Sequence, residues 1–411
     1  MGLEKKPHEI SAKKELQNLS LLSYRCEVKM HSRKIDSLEA VVNYVQQQLA
    51  EHPERDLDKA RESAFSGEER EFPVIYIGHL GDPEDTFIPQ GELEIPEAAI
   101  PNPHENKLAI ELLGKLEPLK MLNPICLDFS LGQGPGTLVG CFGIPLNPDT
   151  MNCPAYTKSI DEVLAQPLPD PKTSEMMSGM LEKINIIKSL TPDTLKIARP
   201  DTQGPFNIAH CLVGEEALIE AYLAPDRFHQ LMAKVTDFWI QAVMLLKEAI
   251  GKEREAVCDR VIRIAECSVN LVSPEMYKEF ILPYDLKIAE VYGAPGIHTC
   301  SGPHVFYGTL ENIPGMIYTE AGYISCAVAG HTKVDEAMTA LHGKPVLLNI
   351  GQELPDGREL ETILTDFDRY SETKRLLFSY TGMHWRKKDR PLIRDVHNAA
   401  DEFWRVNLNF R

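Results

Sequence analysis

His298 and Cys300 stand one residue apart in GAPGIHTCSG, where a short apolar run ends. On an extended backbone, residues two apart project from the same face, so an imidazole and a thiol could reach one metal ion there. Glu320 ends the next apolar run, GMIYTE, and adds a carboxylate. Imidazole, thiolate and carboxylate are donor types that zinc accepts. The spacing H-x-C alone is equally that of a buried histidine beside a structural cysteine; the added carboxylate and the run-end position favour a metal. For the fourth position the sequence offers Cys326, after Glu320, and Cys267, at the end of the preceding run. Water or substrate also suits that position in a catalytic zinc site.

Other polar residues stand at run ends: Asp128, the loop Asp201-Thr202-Gln203-Gly204, Glu266, Asn349 and the pair His384-Trp385. Glu266, in RIAECSVNLVSP, suits a general base or a residue that orients a metal ligand, and equally a salt-bridged carboxylate. Asp128, Gln203 and His384 are further candidates for substrate contact or proton transfer. The glycine-rich GQGPGT lacks the lysine of a phosphate-binding loop.

Eight short apolar, β-rich runs must position these groups: FPVIYIG (72–78), PICLDFS (124–130), LKIARPD (195–201), RVIRIAEC (260–267), GIHTC (296–300), GMIYTE (315–320), KPVLLNIG (344–351) and RLLFSYTG (375–382). Helical patterns separate most of them, as in LIEAYLAPDRFHQLMAKVTDFWIQAVMLLKEAIG. Strand and helix alternating in this way is the sequence form of an α/β fold of the (β/α)8 TIM barrel type, with its active site at the carboxyl ends of the strands. An open doubly wound sheet is the other arrangement, disfavoured because no GxGxxG follows the first run. Residues 1–70 are polar and helix-prone, and read as an N-terminal helical extension to a barrel spanning 71–411. Such an arm is compatible with a homodimer.

The 411 residues carry a formal net charge of −18, which disfavours nucleic acid or an anionic membrane surface as partner. The 43% apolar content includes no run long enough for a membrane span. MGLEKKPHEI lacks the apolar centre of a signal peptide, and nine scattered cysteines do not read as a disulfide framework. A cytoplasmic location is expected.

GPFNIAHCLVGEEALIEAYLAPDRFHQLM, LVSPEMYKEFILPYDLKIAE and the H-x-C of IHTCSG together resemble the uroporphyrinogen decarboxylase superfamily over about residues 120–385. The chain is more similar to the zinc-dependent, corrinoid-linked methyltransferases (methylcobalamin:coenzyme M methyltransferase-like and O-demethylase-like) than to the decarboxylases proper. The latter have an arginine-rich segment near the first strand, whereas YIGHLGDPEDTFIPQGELEIP contains no arginine. The resemblance implies zinc held by His298 and Cys300. Glu320 follows Cys300 by twenty positions, matching the metal-binding glutamate of the related cobalamin-independent methionine synthases. A late cysteine expected on the last strand is absent: LLFSYTGMHW has Thr381 near that place and His384 just beyond. The implied activity is methyl transfer between a small-molecule donor or acceptor and the cobalt of a corrinoid (cobalamin). A separate corrinoid protein must bring that cofactor, because no D-x-H-x-x-G signature occurs here. A metal-free decarboxylase or lyase on the same barrel, and a noncatalytic barrel that binds a tetrapyrrole or corrinoid, are the alternatives.

Overall fold

Every one of the eight apolar runs overlaps a strand in the computed structural model. The structure describes residues 36–53, 56–66, 74–77, 100–116, 125–131, 136–146, 154, 156–293, 295–299, 318–322, 346–349 and 376–380. The strands are β1 Val74–Ile77, β2 Asp128–Ser130, β3 Lys196–Ala198, β4 Ile262–Ala265, β5 Pro295–Thr299, β6 Tyr318–Gly322, β7 Val346–Asn349 and β8 Leu376–Tyr380. All pairings between them are parallel. One sheet has the order β1-β8-β7-β6-β5-β4, so the first strand lies beside the last, and β2 pairs with β3 separately. A bridge between Gln203 and Ala265, with Gly204 N donating to Ala265 O at 2.8 Å, ties the chain after β3 to the end of β4. The α/β class follows directly: runs rich in Val, Ile and Leu form parallel strands, and among the described residues helices connect the strands from β1 to β5.

The main helices among the described residues are α1 Leu38–Glu51 and α2 Leu57–Ser66, which precede β1, then α3 Pro103–Leu113, α4 Ile160–Ala165, α5 Glu175–Leu190, α6 Pro205–Val213, α7 Glu216–Leu223, α8 Pro225–Ile250 and α9 Leu282–Tyr292. Helix α1 begins at Ser37, whose side chain accepts from Ala40 N at 3.2 Å, the usual way a serine satisfies a first-turn amide. Its buried stripe Leu38, Val41, Val42 and Val45 belongs to the same core as Leu108 and Leu112 of α3. The long α8 contributes Phe228, Leu231, Val235, Phe238, Trp239 and Leu246 to that core. Among the described residues, no helix is long and apolar enough to cross a membrane.

Two local features set up the site. Along β4, Ile262 and Ile264 enter the apolar core with Ile297 of β5. Alternation then turns Arg263 and Ala265 to the opposite face, in register with Gly296 and His298. Before α9, the short turn Pro274–Met276 widens into a π-helical segment, Tyr277–Ile281, in which Leu282 N donates to Tyr277 O. Pro283 has no N–H to continue the ordinary ladder, and the wider turn absorbs that defect.

Candidate functional site

Glu266 is the first residue after β4 and is fully buried. Its backbone N–H donates to His298 O at 2.9 Å. The carboxylate lies across the start of α6, accepting from Phe206 N at 3.1 Å and Asn207 N at 3.0 Å. Pro205 opens that helix without an N–H, so these two amides are the first donors the helix offers. Gly204 precedes them with an unstrained φ of −67°. Its role is space: a Cβ there would lie 2.3 Å from Oε1 of Glu266.

Behind Glu266 sits a second buried carboxyl, Asp285 of α9, whose charge acts on it and whose Oδ1 is buried without a hydrogen-bond partner. Tyr277, the first residue of the π-helical segment, donates its hydroxyl to Oδ2 of Asp285 at 2.8 Å. Two neighbouring carboxyls in a dry site cannot both ionise, so at least one of them keeps its proton. Burial, and then the charge of Asp285, pushes the Glu266 carboxyl well above its usual range, against the pull of the two α6 amides. Burial raises Asp285 as well, to about 7, against the hydrogen bond from the Tyr277 hydroxyl. The same burial, and the Asp285 charge, keeps the Tyr277 phenol protonated.

A polar ladder runs beside this pair. Ser268 N donates to Asn207 Oδ1 at 2.9 Å, which fixes the orientation of that amide. Asn207 Nδ2 therefore donates to Gln203 Oε1, and Gln203 Nε2 to Asp201 Oδ2 at 3.3 Å. The other oxygen of Asp201 accepts from Arg263 Nη1 at 2.6 Å. Ser268 Oγ bonds Asn207 Oδ1 and His210 Nδ1, while Trp239 Nε1 holds the Gln203 carbonyl at 2.8 Å.

Of the residues singled out from sequence, Gln203, Glu266 and His298 are brought together. Asn207 links the first two through its side chain and its N–H, and the backbone bond links Glu266 to His298. His298 is 4% exposed and stands in register with Ala265 on one side and Glu320 on the other. Cys267 is half-buried immediately after Glu266. Cys300, Cys326 and His384 lie outside the described residues.

Asp128 is a correction. It is the first residue of β2, in register with Lys196 at the start of β3, and so sits at the amino end of its strand. There it accepts from Lys115 Nζ at 3.0 Å and from Cys126 Sγ at 3.2 Å. Burial alone would raise its carboxyl, but the Lys115 charge and hydrogen bond outweigh burial and hold it below the usual range. The apolar run PICLDFS gave a strand, but only the paired backbone shows at which end of it the aspartate lies.

Sequence reading missed Asn207, Ser268, His210, Tyr277 and Asp285. For Asp285 a signal was present: it shares the buried stripe of α9 with Ile288 and Ala289, at i, i+3 and i+4. A carboxylate in phase with an apolar stripe must find a partner inside.

Residues 137–321, which contain this whole network and all of β6 but its last residue, match the family model described as Uroporphyrinogen decarboxylase (URO-D). No curated protein matches the chain. Among solved structures, a methyltransferase from Methanosarcina mazei is similar, with a TM-score of 0.58 at 18% identity, covering 85% of this chain and 99% of that one. An identity that low speaks for the fold. Over residues 137–321 the chain is thus similar to the uroporphyrinogen decarboxylase family, and its fold is the one that the archaeal methyltransferase shares.

Proposed function

We propose that the eight strands close into a (β/α)8 barrel over residues 71–411, with 1–70 as its helical extension, and that the chain is a zinc-dependent methyltransferase. It moves a methyl group between a small molecule and the cobalt of a corrinoid carried by a partner protein in the cytoplasm. The observation that carries this reading is the register of β5 and β6, which sets the buried His298 directly beside position 320. The archaeal methyltransferase of the same fold lends further support.

An imidazole on β5 and a glutamate at the adjoining position of β6 are donor types that fit zinc. His298, Cys300 and Glu320 would hold it, with Cys326 as the fourth protein ligand. When bound, the metal supplies Lewis acidity toward the heteroatom that carries or receives the methyl group. The chain's own residues do the rest. The Glu266 N–H pins the β5 backbone at His298 O, which fixes where the imidazole stands. The carboxyl pair Glu266–Asp285 stores a proton at the edge of the site, available when the demethylated heteroatom needs one. Gln203, its amide oriented by Asn207, offers hydrogen bonding to the substrate, and His384, which follows β8 in the sequence, would serve as a further substrate contact.

Metal content by mass spectrometry on anaerobically purified protein tests the reading, together with methyl transfer from methylcobalamin. About one zinc per chain is expected in the parent and none in His298→Ala or Cys300→Ala, with methyl transfer lost in both. A folded parent that takes up no zinc and transfers no methyl group overturns it in favour of a metal-free lyase or a corrinoid-binding barrel.

A further inference from the structure

His210 of α6 is half-buried and joins the polar ladder through one hydrogen bond, with Nδ1 3.0 Å from Ser268 Oγ. The polarity of that bond follows from its neighbours. Ser268 N donates to Asn207 Oδ1, so that atom is the amide oxygen and can only accept. The Ser268 hydroxyl has one hydrogen and directs it at the same oxygen. Its Oγ is left to accept from His210, and the ring must carry its hydrogen on Nδ1. In the neutral imidazole the lone pair therefore sits on Nε2, which has no hydrogen-bond partner among the described residues and is not sealed in the interior.

The rest of the surroundings keep this nitrogen available. Phe206 lies against the ring, with centroids 6.4 Å apart and planes 20° from parallel, and its own N–H seats Glu266. Burial holds the imidazole below the usual histidine range, against the pull of the Glu215 carboxylate, so the ring is neutral at pH 7. Glu266, Gln203, Asn207 and His298 are all buried. Asp201, which is partly exposed, is engaged by Arg263. His210 is thus the base of this network that has a side open to water.

We propose that His210 is the proton carrier between the carboxyl-end site and bulk water, taking up and releasing the proton at Nε2 while Nδ1–H stays on Ser268. When a protic heteroatom accepts a methyl group, the bond from the methyl carbon to its carrier breaks and leaves its electron pair on the carrier. The bond from heteroatom to carbon forms, and the heteroatom's proton must leave. In the reverse direction one proton must arrive. Nε2 accepts that proton, directly or through water, and passes it to a buffer base. Because Nδ1–H is fixed, gain and loss of the proton leave the hydrogen bonds behind the ring unchanged. Ser268 and Asn207 act as positioning residues. The need for a carrier rests on the methyltransferase reading above; the tautomer does not.

Nitrogen-15 NMR on the full chain, without added metal or corrinoid, reads the tautomer, with His210→Ala identifying the signal. The neutral ring is expected as Nδ1–H in the parent and as a mixture of tautomers in Ser268→Ala. Methyl transfer from methylcobalamin is expected to fall at least about tenfold in His210→Ala. Imidazole added to the buffer should restore most of that loss and leave the parent unchanged, which a merely structural histidine would not show. Circular dichroism checks the fold, and His210→Gln replaces His210→Ala should the latter unfold. An Nε2–H tautomer in the parent, a folded variant as active as the parent, or a loss that imidazole does not restore overturns the proposal and leaves the methyltransferase standing. A parent that transfers no methyl group removes the methyltransferase reading, and the carrier falls with it.

Discussion

The parallel strands end in two buried clusters of charge that are built on opposite principles. At the amino end, Asp128 meets the ammonium of Lys115 at 3.0 Å, and Asp58 and Arg61 of α2 lie close by. Each carboxylate there has a cation in its surroundings, although burial and the nearby Asp128 still raise Asp58 to about 6. At the carboxyl end, Glu266 and Asp285 face each other with helix amides and a phenol, and no cation figures among the causes of their shifts. A cation neutralises a carboxylate permanently and makes a lock. Amides and a second carboxyl leave a proton on the pair, and such a proton can be moved. The difference teaches how each end uses its charge: the amino end ties α2 to β2, and the carboxyl end keeps a titratable group on the residue whose N–H bonds His298 O.

Removing the lock gives the largest effect. In Lys115→Met, Asp128 would remain buried with its principal cation gone, a situation that costs roughly 3–5 kcal/mol of stability. Adding Asp128→Asn should recover most of that loss, because the charge that needed the lysine is then absent. Urea unfolding of the two variants decides the matter, and a single variant that loses less than about 1 kcal/mol would reduce the amino-end cluster to an ordinary surface pair.

A smaller loss is expected at the other end from Gly204→Ala. Alanine in place of glycine just before a helix normally costs a few tenths to about 1 kcal/mol, and φ at this position is permissive. The added Cβ, however, would fall 2.3 Å from the Glu266 carboxylate and drive it off the Phe206 and Asn207 amides. The expected cost is therefore about 2–3 kcal/mol, accompanied by loss of methyl transfer. Thermal unfolding and an activity assay measure the two, and a cost of only a few tenths would mean that the carboxylate is not seated as described.

The contrast between the ends was only partly legible in the sequence. The strands were, because runs such as RVIRIAEC and KPVLLNIG suit parallel strands buried on both faces. Gln203, Glu266 and His298 were each singled out from their places in or just after such runs, but the network that links the first two was not. Asp128 was misplaced because the cation that explains it comes from the segment after α3, and only the tertiary fold brings the two together. Asn207 and Asp285 were passed over because each lies inside a helical pattern, where a polar residue is ordinarily assigned to solvent. For Asn207 the pattern PFNIAHCLV holds buried residues all round the helix, so phase gave no warning. For Asp285 it did, and the shared stripe with Ile288 and Ala289 was the recoverable sign. Cys300, Cys326 and His384 lie outside the described residues and do not enter this comparison.

The subtlest effect would sharpen the idea of a retained proton. Glu266 and Asp285 both titrate above their unfolded values, so the folded state binds more protons than the unfolded chain between those values. Stability contributed by the pair is then fully present below the unfolded carboxyl pKa values and is lost as pH rises toward the folded ones. In Asp285→Asn the amide accepts the Tyr277 hydroxyl through its oxygen, and its own hydrogens do not titrate. Asp58 adds its own slope between about 4 and 6, but that slope is common to parent and variant and cancels in their difference. Urea unfolding at a series of pH values should therefore show the parent losing about 1–2 kcal/mol more than the variant between pH 5 and pH 8. Parallel curves would mean that no proton is retained, and the carboxyl end would then be a second lock made without a cation.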